Sequence, residues 1–359
     1  MNHSFSVASP VTLPERKSPL AAWLFRYGSR LRNLRYHYRN TSWERVHAFE
    51  RERTGRSWLP WPALLLASWR HGASFEDYYH LCFYKLSTAQ RRDYLTLSLN
   101  HEMVRQSNHP DQQPLTRDKA LFAKHFRAFI GRKIWTWDEM LQEEDASPPG
   151  RLVFKYRWGG SGNDVHFPAE PFADWDAVRA YMRRFGRPEH YICEQRLSQH
   201  PELAELNPDT LNTLRVMTYL HDPEHVDIWC VILRVGVGDG ADNWAQGGLC
   251  AWVDEDGTVP GPALLKNPFR PETDRHPHTG VRITGRQIPC YAELRQLAIA
   301  SARHVPELRT VGWDIGVTPE GPVLIEGNDR CGHEILQGSY GGGCRHLANT
   351  VCDIYQVYD

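Results

Sequence analysis

The chain has 359 residues, 24 % of them charged, with a formal net charge of −1. This length suits two or three lobes around a substantial core, and the balanced charge argues against a nucleic-acid partner. The eight cysteines show no CxxC pair and no zinc-type spacing, which predicts a reducing cytoplasm. The sequence also predicts no signal peptide, since residues 1–19 lack an apolar core, and no membrane-spanning helix.

The N-terminal part predicts a flexible, proline-containing lead-in over residues 1–20 and a helical region over residues 21–115. Apolar residues at three- and four-residue steps predict a first helix over residues 23–38, with arginines on its other positions. Two interpretations of this helix stay open. In the first, the helix packs on its own domain and its basic side is solvated. In the second, residues 23–39 make peripheral contact with an anionic membrane surface or partner. Further helices are predicted over 43–53, 62–71, 75–86 and 88–99.

The remainder predicts mixed structure. A helix over 117–130 leads into predicted strands over 151–155, 191–195, 214–220 and 226–237, and into helices over 175–185, 291–304 and 345–355. Helices and mostly antiparallel strands in this order favour an α+β body over regular βαβ winding. We expect one lobe over residues 116–195 and a second over residues 196–359.

The first strand of this body leads into a glycine-rich loop. Lys155 ends the strand, and Gly159, Gly160, Ser161 and Gly162 follow it closely. Glycines let backbone N–H groups turn towards an anion, and a nearby lysine can reach phosphate oxygens as a point charge. The loop therefore predicts a phosphate site, although it differs from the GxxxxGK[ST] phosphate loop.

The acidic hairpin near the C-terminus predicts a metal platform. Two predicted strands, 311–317 and 323–327, flank a Pro/Gly-containing loop; pairing about Glu320 sets Asp314 opposite Glu326 and Val317 opposite Val323. Alternation sorts Trp313, Ile315, Val317, Val323 and Ile325 onto a core face, and Gly312, Asp314, Gly316, Glu326 and Asn328 onto the other. Like charges facing each other are destabilising, and hard oxygens in this arrangement suit Mg²⁺.

Arg215 lies inside an apolar predicted strand, between Leu214 and Val216. A buried charge is costly unless it is paired. The position therefore predicts an acidic partner, as in a structural salt bridge, or an anionic ligand.

Several motifs occur together in one order along residues 116–328. They are Asp118-Lys119, Lys155 with the glycine loop, Glu194-Gln195-Arg196-Leu197, Asn212-Thr213-Leu214-Arg215, and Asp314 with Glu326 and Asn328. In this order the chain resembles the ATP-grasp superfamily, and most closely its sugar-transfer-associated family. The resemblance implies the ATP-grasp fold, in which two α/β lobes clasp ATP, here with a helical N-terminal region.

The resemblance also implies roles for these residues. Lys119 and Lys155 would contact the phosphates of ATP, and residues 159–162 would close over them as a lid. Glu194 to Leu197 would hold adenine and ribose, and Asn212 would belong to the nucleotide site. Asp314, Glu326 and Asn328 would ligate one or two Mg²⁺. Arg215 and Lys155 would be catalytic, with Arg215 facing the transferring phosphate or the acyl intermediate.

The implied activity is that of an ATP-dependent carboxylate–amine ligase working through an acyl phosphate, in polysaccharide or amino-acid-conjugate biosynthesis. Its partners would be small-molecule carboxylates and amine or sugar substrates, and a homodimer is compatible with the sequence. Two alternatives stay open: a kinase that phosphorylates a small-molecule hydroxyl, and a non-catalytic nucleotide-binding regulator.

Overall fold

A computed structural model describes residues 19–143, 147–148, 150–160, 164–238, 242–270, 272–351 and 358, with the backbone alone for residues 19–22. The predicted lead-in over residues 1–20 therefore lies almost wholly outside the described residues. Ser161 and Gly162 of the glycine loop lie outside them as well.

Helices dominate the N-terminal region and strands the body. The helices are α1 (Pro19–Asn40), α2 (Trp43–Thr54), α3 (Trp61–His71), α4 (Asp77–His80), α5 (Thr88–Arg91), α6 (Leu97–Ser107), α7 (Pro114–Arg117), α8 (Lys119–His125), α9 (Trp137–Leu141), α10 (Trp175–Arg183), α11 (Pro201–Ala204), α12 (Tyr291–His304), α13 (His333–Tyr340) and α14 (Arg345–Asn349). The strands are β1 (Ile134–Thr136), β2 (Leu152–Tyr156), β3 (Val165–His166), β4 (Tyr191–Gln195), β5 (Thr213–Asp222), β6 (His225–Val235), β7 (Leu249–Val253), β8 (Thr310–Thr318) and β9 (Gly321–Asn328).

Two of the predicted helices are wrong in length because Asp77 redirects the chain. The predicted helix over 75–86 ends at His80, and Cys82 adopts a left-handed φ of 52°. The predicted helix over 88–99 divides into α5 and α6. The buried Asp77 carboxylate accepts the backbone N–H of Leu97 at 2.9 Å, and Leu97 is the first residue of α6. The tertiary hydrogen bond thus overrides the helical periodicity of the sequence.

The two helices at the edges of the body are shorter than predicted. The helix predicted over 117–130 is α8, because Asp118 caps it by accepting the N–H of Ala120 at 2.9 Å. Its helical hydrogen bonding ends near Phe126, which packs on Trp313 of β8. The helix predicted over 345–355 is described as α14, and residues 352–357 lie outside the described residues.

The strands form two antiparallel sheets. The first has the order β1–β4–β2–β3 and packs its apolar face on α9 and α10. The second has the order β7–β6–β5–β8–β9 and is covered by α12 over the largest core cluster. The α+β prediction is confirmed, and the predicted strands correspond to β2, β4, β5, β6, β8 and β9. The short strands β1 and β3, and β7, were missed.

The hairpin of β8 and β9 has the predicted acidic pair but a different register beyond it. Asp314 pairs with Glu326, as predicted. Val317 pairs with Pro322 instead of Val323, because a bulge between Asp314 and Ile315 shifts the strands by one residue. A one-residue shift moves side chains to the opposite face. Leu324 is therefore buried in the core, whereas Ile325, predicted to face the core, lines the cavity described below.

Candidate active site between the sheets

A cavity of about 850 Å³ lies between the two sheets. The first sheet contributes β2, β4 and the start of the glycine loop, and the second contributes β5, β6, β8 and β9. Most of the predicted site residues line it: Lys119, Lys155, Gly159, Gly160, Glu194, Gln195, Arg196, Leu197, Arg215, Asp314, Glu326 and Asn328. Residues that are far apart in sequence thus meet around one space, which is large enough for a small-molecule ligand.

The start of the glycine loop is tied to the N-terminus of α8. Asp118, which caps the helix, also accepts from Arg157 at 2.7 Å and from the indole of Trp158 at 3.2 Å. The next residue, Lys119, donates from its ammonium to the carbonyl oxygen of Gly159. Burial lowers the pKa of Lys119. A lysine whose charged form is poorly solvated favours an anionic ligand, which would restore the lost stabilisation.

Two cations bracket Glu194 on the first sheet. Its buried carboxylate pairs with Lys155 through one oxygen, and with Arg132 through the other at 2.8 Å. Burial raises the pKa of Glu194, but the two cations outweigh it and bring the pKa down to about 2. Arg132 also donates to the carbonyl oxygen of Leu324 in β9 at 2.9 Å, and so connects the two sheets. This wall of the cavity carries more cations than acids.

Two arginines hold Asp314 on the second sheet. Its carboxylate, 2 % exposed, accepts from Arg215 at 2.9 Å through a bidentate contact and from Arg234 at 2.7 Å. Burial raises the pKa of Asp314, but the two guanidiniums outweigh it and hold the pKa well below its usual value. The acidic partner predicted for Arg215 is therefore Asp314, its directly paired neighbour across the strands.

Glu326 is the less compensated acid of the pair. Burial and the adjacent Asp314 carboxylate both raise the pKa of Glu326. The amide of Asn328 lies 3.4 Å from one of its oxygens. Two facing carboxyl groups and an amide, in a buried site, offer the hard oxygen atoms that a divalent cation takes. The donor set thus fits Mg²⁺, with Glu326 having the most to gain from a cation.

Sequence reasoning missed three charged residues at the site, Arg132, Arg234 and Asp242. Arg234 is buried in β6 and also pairs with Asp242 at 2.9 Å. Asp242 accepts in turn from the backbone N–H and the hydroxyl of Thr213. The signal for Arg234 was available, because it interrupts the apolar run Val231–Val235 just as Arg215 interrupts its own strand.

Asn212 lies beside the cavity without being one of the lining residues described. Its side chain is fully buried and donates to the carbonyl oxygens of Leu203 and Asn207 at 3.0 and 3.2 Å. It also accepts the N–H of Gly236 at 3.1 Å. These bonds join loops around the start of β5, and a contact of Asn212 with a nucleotide stays a prediction.

Three further charged residues line the cavity. They are Lys266, Arg330 and Glu334, and the Lys266 ammonium lies 4.0 Å from Glu334. Behind Glu334, the buried His333 pairs with Asp77 of α4 at 2.9 Å. This pair anchors the N-terminus of α13 to the helical region. The three lining residues thus carry both signs of charge.

The similarity to a known family covers part of this arrangement. Two antiparallel sheets face each other across a cavity, with lysines and the start of a glycine loop on one side and paired acids on the other. Residues 181–353, a little under half of the chain, match the model of the sugar-transfer associated ATP-grasp family. The resemblance predicted from the motifs is thus confirmed. Lys119, Lys155 and the glycine loop lie before the matched segment.

Distant similarity extends to solved structures of ligases. An L-amino acid ligase from Bacillus licheniformis shares 12 % identity, with 63 % of this chain and 43 % of that chain covered and a TM-score of 0.36. An ADP complex of N5-carboxyaminoimidazole ribonucleotide synthetase shares 13 % identity, with 64 % of this chain and 52 % of that chain covered and a TM-score of 0.34. An N5-carboxyaminoimidazole ribonucleotide synthetase from Thermotoga maritima shares 10 % identity, with 61 % of this chain and 43 % of that chain covered and a TM-score of 0.33.

The chain spans about half or less of the length of these structures. No curated protein sequence matches it. Among the described helices, none has the length and apolar character needed to cross a bilayer.

Proposed function

We propose that the cavity binds ATP with one or two Mg²⁺, and that the chain is an ATP-dependent carboxylate–amine ligase. The observation that carries the proposal is the opposition of two walls in one cavity. The cations Lys119, Lys155 and Arg132 lie near Glu194 on one side, and the acids Asp314 and Glu326 face each other on the other. A polyphosphate together with a divalent cation complements both walls at once.

On the first wall, Lys119 and Lys155 would bind the phosphates, with the backbone of Gly159 and Gly160 alongside. Ser161 and Gly162 stay predicted members of this lid. Because Glu194 is engaged by Lys155 and Arg132, we assign its carboxylate to positioning Lys155 as well as to the ribose side of the site. The backbone of residues 195–197 is then the proposed adenine contact.

On the second wall, Glu326, Asn328 and Asp314 would hold Mg²⁺. The cation would supply charge neutralisation at the β- and γ-phosphates. Glu326 would be the first ligand, because its pKa is raised by burial and by Asp314, and a neighbouring cation favours its ionised form. Arg215 and Arg234 orient Asp314 and keep it ionised, which fixes one side of the donor set.

The proposed reaction has two steps. A substrate carboxylate oxygen attacks the γ-phosphorus, the bond to the β-phosphate oxygen breaks, and ADP leaves with an acyl phosphate remaining. An amine nitrogen then attacks the acyl carbon, and inorganic phosphate and a proton leave. Arg215 and Lys155 would balance the charge of the transferring phosphoryl group, since phosphoryl transfer depends on positioning and electrostatic stabilisation. A closed lid would keep water from the acyl phosphate.

We assign the substrates to the part of the cavity that Lys266, Arg330 and Glu334 line, which suits small polar molecules. Lys266 and Arg330 can bind a carboxylate, and Glu334 an ammonium group. Amino acids, sugar acids and amino sugars are the proposed classes. We propose a cytoplasmic enzyme of polysaccharide or amino-acid-conjugate biosynthesis.

An ADP-release screen over amino acids, sugar acids and amino sugars with Mg²⁺ tests the proposal. We expect ADP formation that depends on a particular substrate pair and releases one inorganic phosphate per ADP. Retention of the labelled γ-phosphate on the product would indicate the kinase alternative. If the protein binds ATP but forms no ADP with any substrate in the screen, the result would favour the non-catalytic regulator.

A further inference from the structure

The first helix, α1, has most of its apolar stripe outward. The sequence assigns Leu24, Tyr27, Leu31, Leu34 and Tyr38 to this stripe. Leu34 is half-buried and packs on the helical core, whereas the other four are 54, 46, 52 and 56 % exposed. The helix buries polar positions instead, among them Ser29 and His37. An amphipathic helix that packs on its own domain does the opposite. The helix does pack on its own domain, as the first interpretation expects, but it leaves four of the five stripe residues exposed.

Polar contacts fix the rotation of α1. The imidazole of the buried His37 bonds to the Ser68 hydroxyl of α3 at 2.8 Å through one nitrogen. Its other nitrogen lies 3.1 Å from the Ser98 hydroxyl of α6. Thr41, just after the helix, donates to the carbonyl oxygen of His37 at 2.6 Å. These contacts hold the buried side against α3 and α6, so the outward direction of the apolar stripe is built into the fold.

The apolar surface continues from α1 onto α3 and the turn before it. Trp58, Trp61, Leu65 and Leu66 are exposed there, and Tyr27 of α1 contacts the ring of Trp69 edge-on at a centroid distance of 5.3 Å. Of the sixteen large apolar side chains that are exposed in the described residues, eleven lie between residues 23 and 66. We call the exposed surface of residues 23–40 and 58–66 the aromatic face. Such a concentration marks an interaction surface.

The aromatic face carries positive charge only. Residues 23–40 contain five arginines and residues 58–66 none, and neither segment contains an aspartate or glutamate. Arg32, Arg35 and Arg39 are exposed at the edge of the apolar stripe. The chain as a whole has a net charge of −1, so this segregation is local.

We propose that the aromatic face docks this protein on the surface of an anionic phospholipid bilayer. Tryptophan, tyrosine and leucine insert at the level of the headgroups, and flanking arginines bind anionic headgroups. A symmetric dimer through this face would bring like-charged arginines together. An acidic helix of a partner protein is a poorer candidate, because such a helix binds in a groove and the aromatic face is formed by the outer sides of two helices. Docking of this kind is peripheral and does not depend on the proposed enzymatic activity.

Flotation of the full chain with vesicles tests this proposal. We expect binding to phosphatidylcholine vesicles that contain about 30 % phosphatidylglycerol, and at least tenfold weaker binding to pure phosphatidylcholine. Since each arginine near an anionic surface contributes about fivefold, removing three of them with Arg32→Gln, Arg35→Gln and Arg39→Gln should weaken binding on the order of a hundredfold. Higher salt should weaken binding of the wild type more than that of this triple variant.

Matched variants separate insertion and charge from general surface effects. Leu31→Ser should weaken vesicle binding, whereas Leu141→Ser, which changes a leucine with similar exposure in α9, should not. The triple variant Arg127→Gln, Arg184→Gln and Arg187→Gln controls for the loss of three exposed positive charges elsewhere. Absence of binding to anionic vesicles at low salt would overturn the proposal, as would equal losses in test and control variants. A concentration-dependent dimer that Leu31→Ser dissociates, without vesicle binding, would identify the face as a self-interface instead.

Discussion

Asp314 is the more strongly bonded of the two acids in the hairpin of β8 and β9. The sequence sets it opposite Glu326, and the structure does the same. The structure adds that Arg215 and Arg234 hold its carboxylate from the side facing β5 and β6. The two acids of the hairpin are therefore unequal. Asp314 is ionised and bonded to the protein, whereas Glu326 is poorly compensated and available to a cation.

This inequality predicts different outcomes for two isosteric substitutions. Asp314→Asn should destabilise the fold by about 3–5 kcal/mol, because it leaves two buried guanidiniums without their shared carboxylate. Glu326→Gln should leave the free energy of unfolding nearly unchanged or slightly raised, because it removes a buried carboxylate whose pKa burial and Asp314 raise. Urea unfolding of both variants measures the difference.

The same pair of variants also separates stability from activity. Glu326→Gln should abolish ADP formation in a protein as stable as the wild type. Wild-type turnover in Glu326→Gln would reject its proposed metal role. A stable Asp314→Asn variant would show that the arginines do not depend on this carboxylate.

The limits of sequence reasoning at the residue scale follow from the physics of pairing. The charge in the middle of an apolar strand identified Arg215 as paired or ligand-bound, and the same rule applied to Arg234 would have found it too. Asn212 is a residue whose contacts the sequence does not indicate. Its side chain satisfies loop backbone, a role that depends on which loops come near it in space. Sequence spacing carries no information about that.

At the scale of elements, the hairpin shows where strand prediction fails. Both strands and their acidic pair followed from alternation and the turn signal, but the bulge after Asp314 did not. A bulge inserts one residue without changing composition, so it leaves no mark in the hydrophobic pattern. The helices divided at Cys82 and before Leu97 failed for a related reason, since the buried Asp77 competes with local helix formation through distant hydrogen bonds.

The connection between α8 and β1 makes a close contact with this hairpin. Gly131 has a φ of +57°, and a Cβ at this position would lie 2.3 Å from a methyl group of Val323. Gly131→Ala should therefore lose about 1–2 kcal/mol to left-handed backbone strain, and about 1–3 kcal/mol more to overpacking. The matched control is Gly186→Ala, with a φ of +78° and open space around its Cβ. Thermal unfolding of the two variants should show the larger loss for Gly131→Ala; equal losses would mean that the contact with Val323 relaxes freely.

The contact between α4 and α13 predicts a dependence of stability on pH. Burial lowers the pKa of His333, but Glu334 and Asp77 outweigh it and raise the pKa to about 9. A histidine whose folded pKa is raised contributes stability that is complete below about 6.5 and is lost as pH rises through about 9. Lys266, the nearby cation, opposes this shift.

We therefore expect the stability difference between the wild type and His333→Gln to shrink between pH 6.5 and pH 9, by up to about 3 kcal/mol. Unfolding in urea at several pH values measures it. Taking the difference removes the titration of other groups that the two proteins share. A difference that stays constant over this range would show that His333 is not the titrating group.

At the scale of the whole molecule, the expectation of two lobes that clasp ATP came from the family resemblance, which rests on motifs that are modest one by one. Their common order was informative because each motif supplies one part of a single chemical task. The boundary that we propose between the lobes, at residues 195 and 196, coincides with the end of β4 of the first sheet. The direction of the apolar stripe of α1 could not be predicted, because an amphipathic pattern does not say which side meets the protein and which meets another surface.

The central claim is that Lys119 of α8 and Lys155 of the first sheet, together with the acids of the second sheet, bind one magnesium-bound triphosphate. Isothermal titration with a non-hydrolysable ATP analogue tests it most directly. We predict one site per chain, with affinity at least tenfold weaker without Mg²⁺ and in Glu326→Gln, and about 10- to 100-fold weaker in Lys155→Met through loss of a charged hydrogen bond. Absence of binding by the folded wild type, or equal affinity in all three proteins with and without Mg²⁺, would contradict the account.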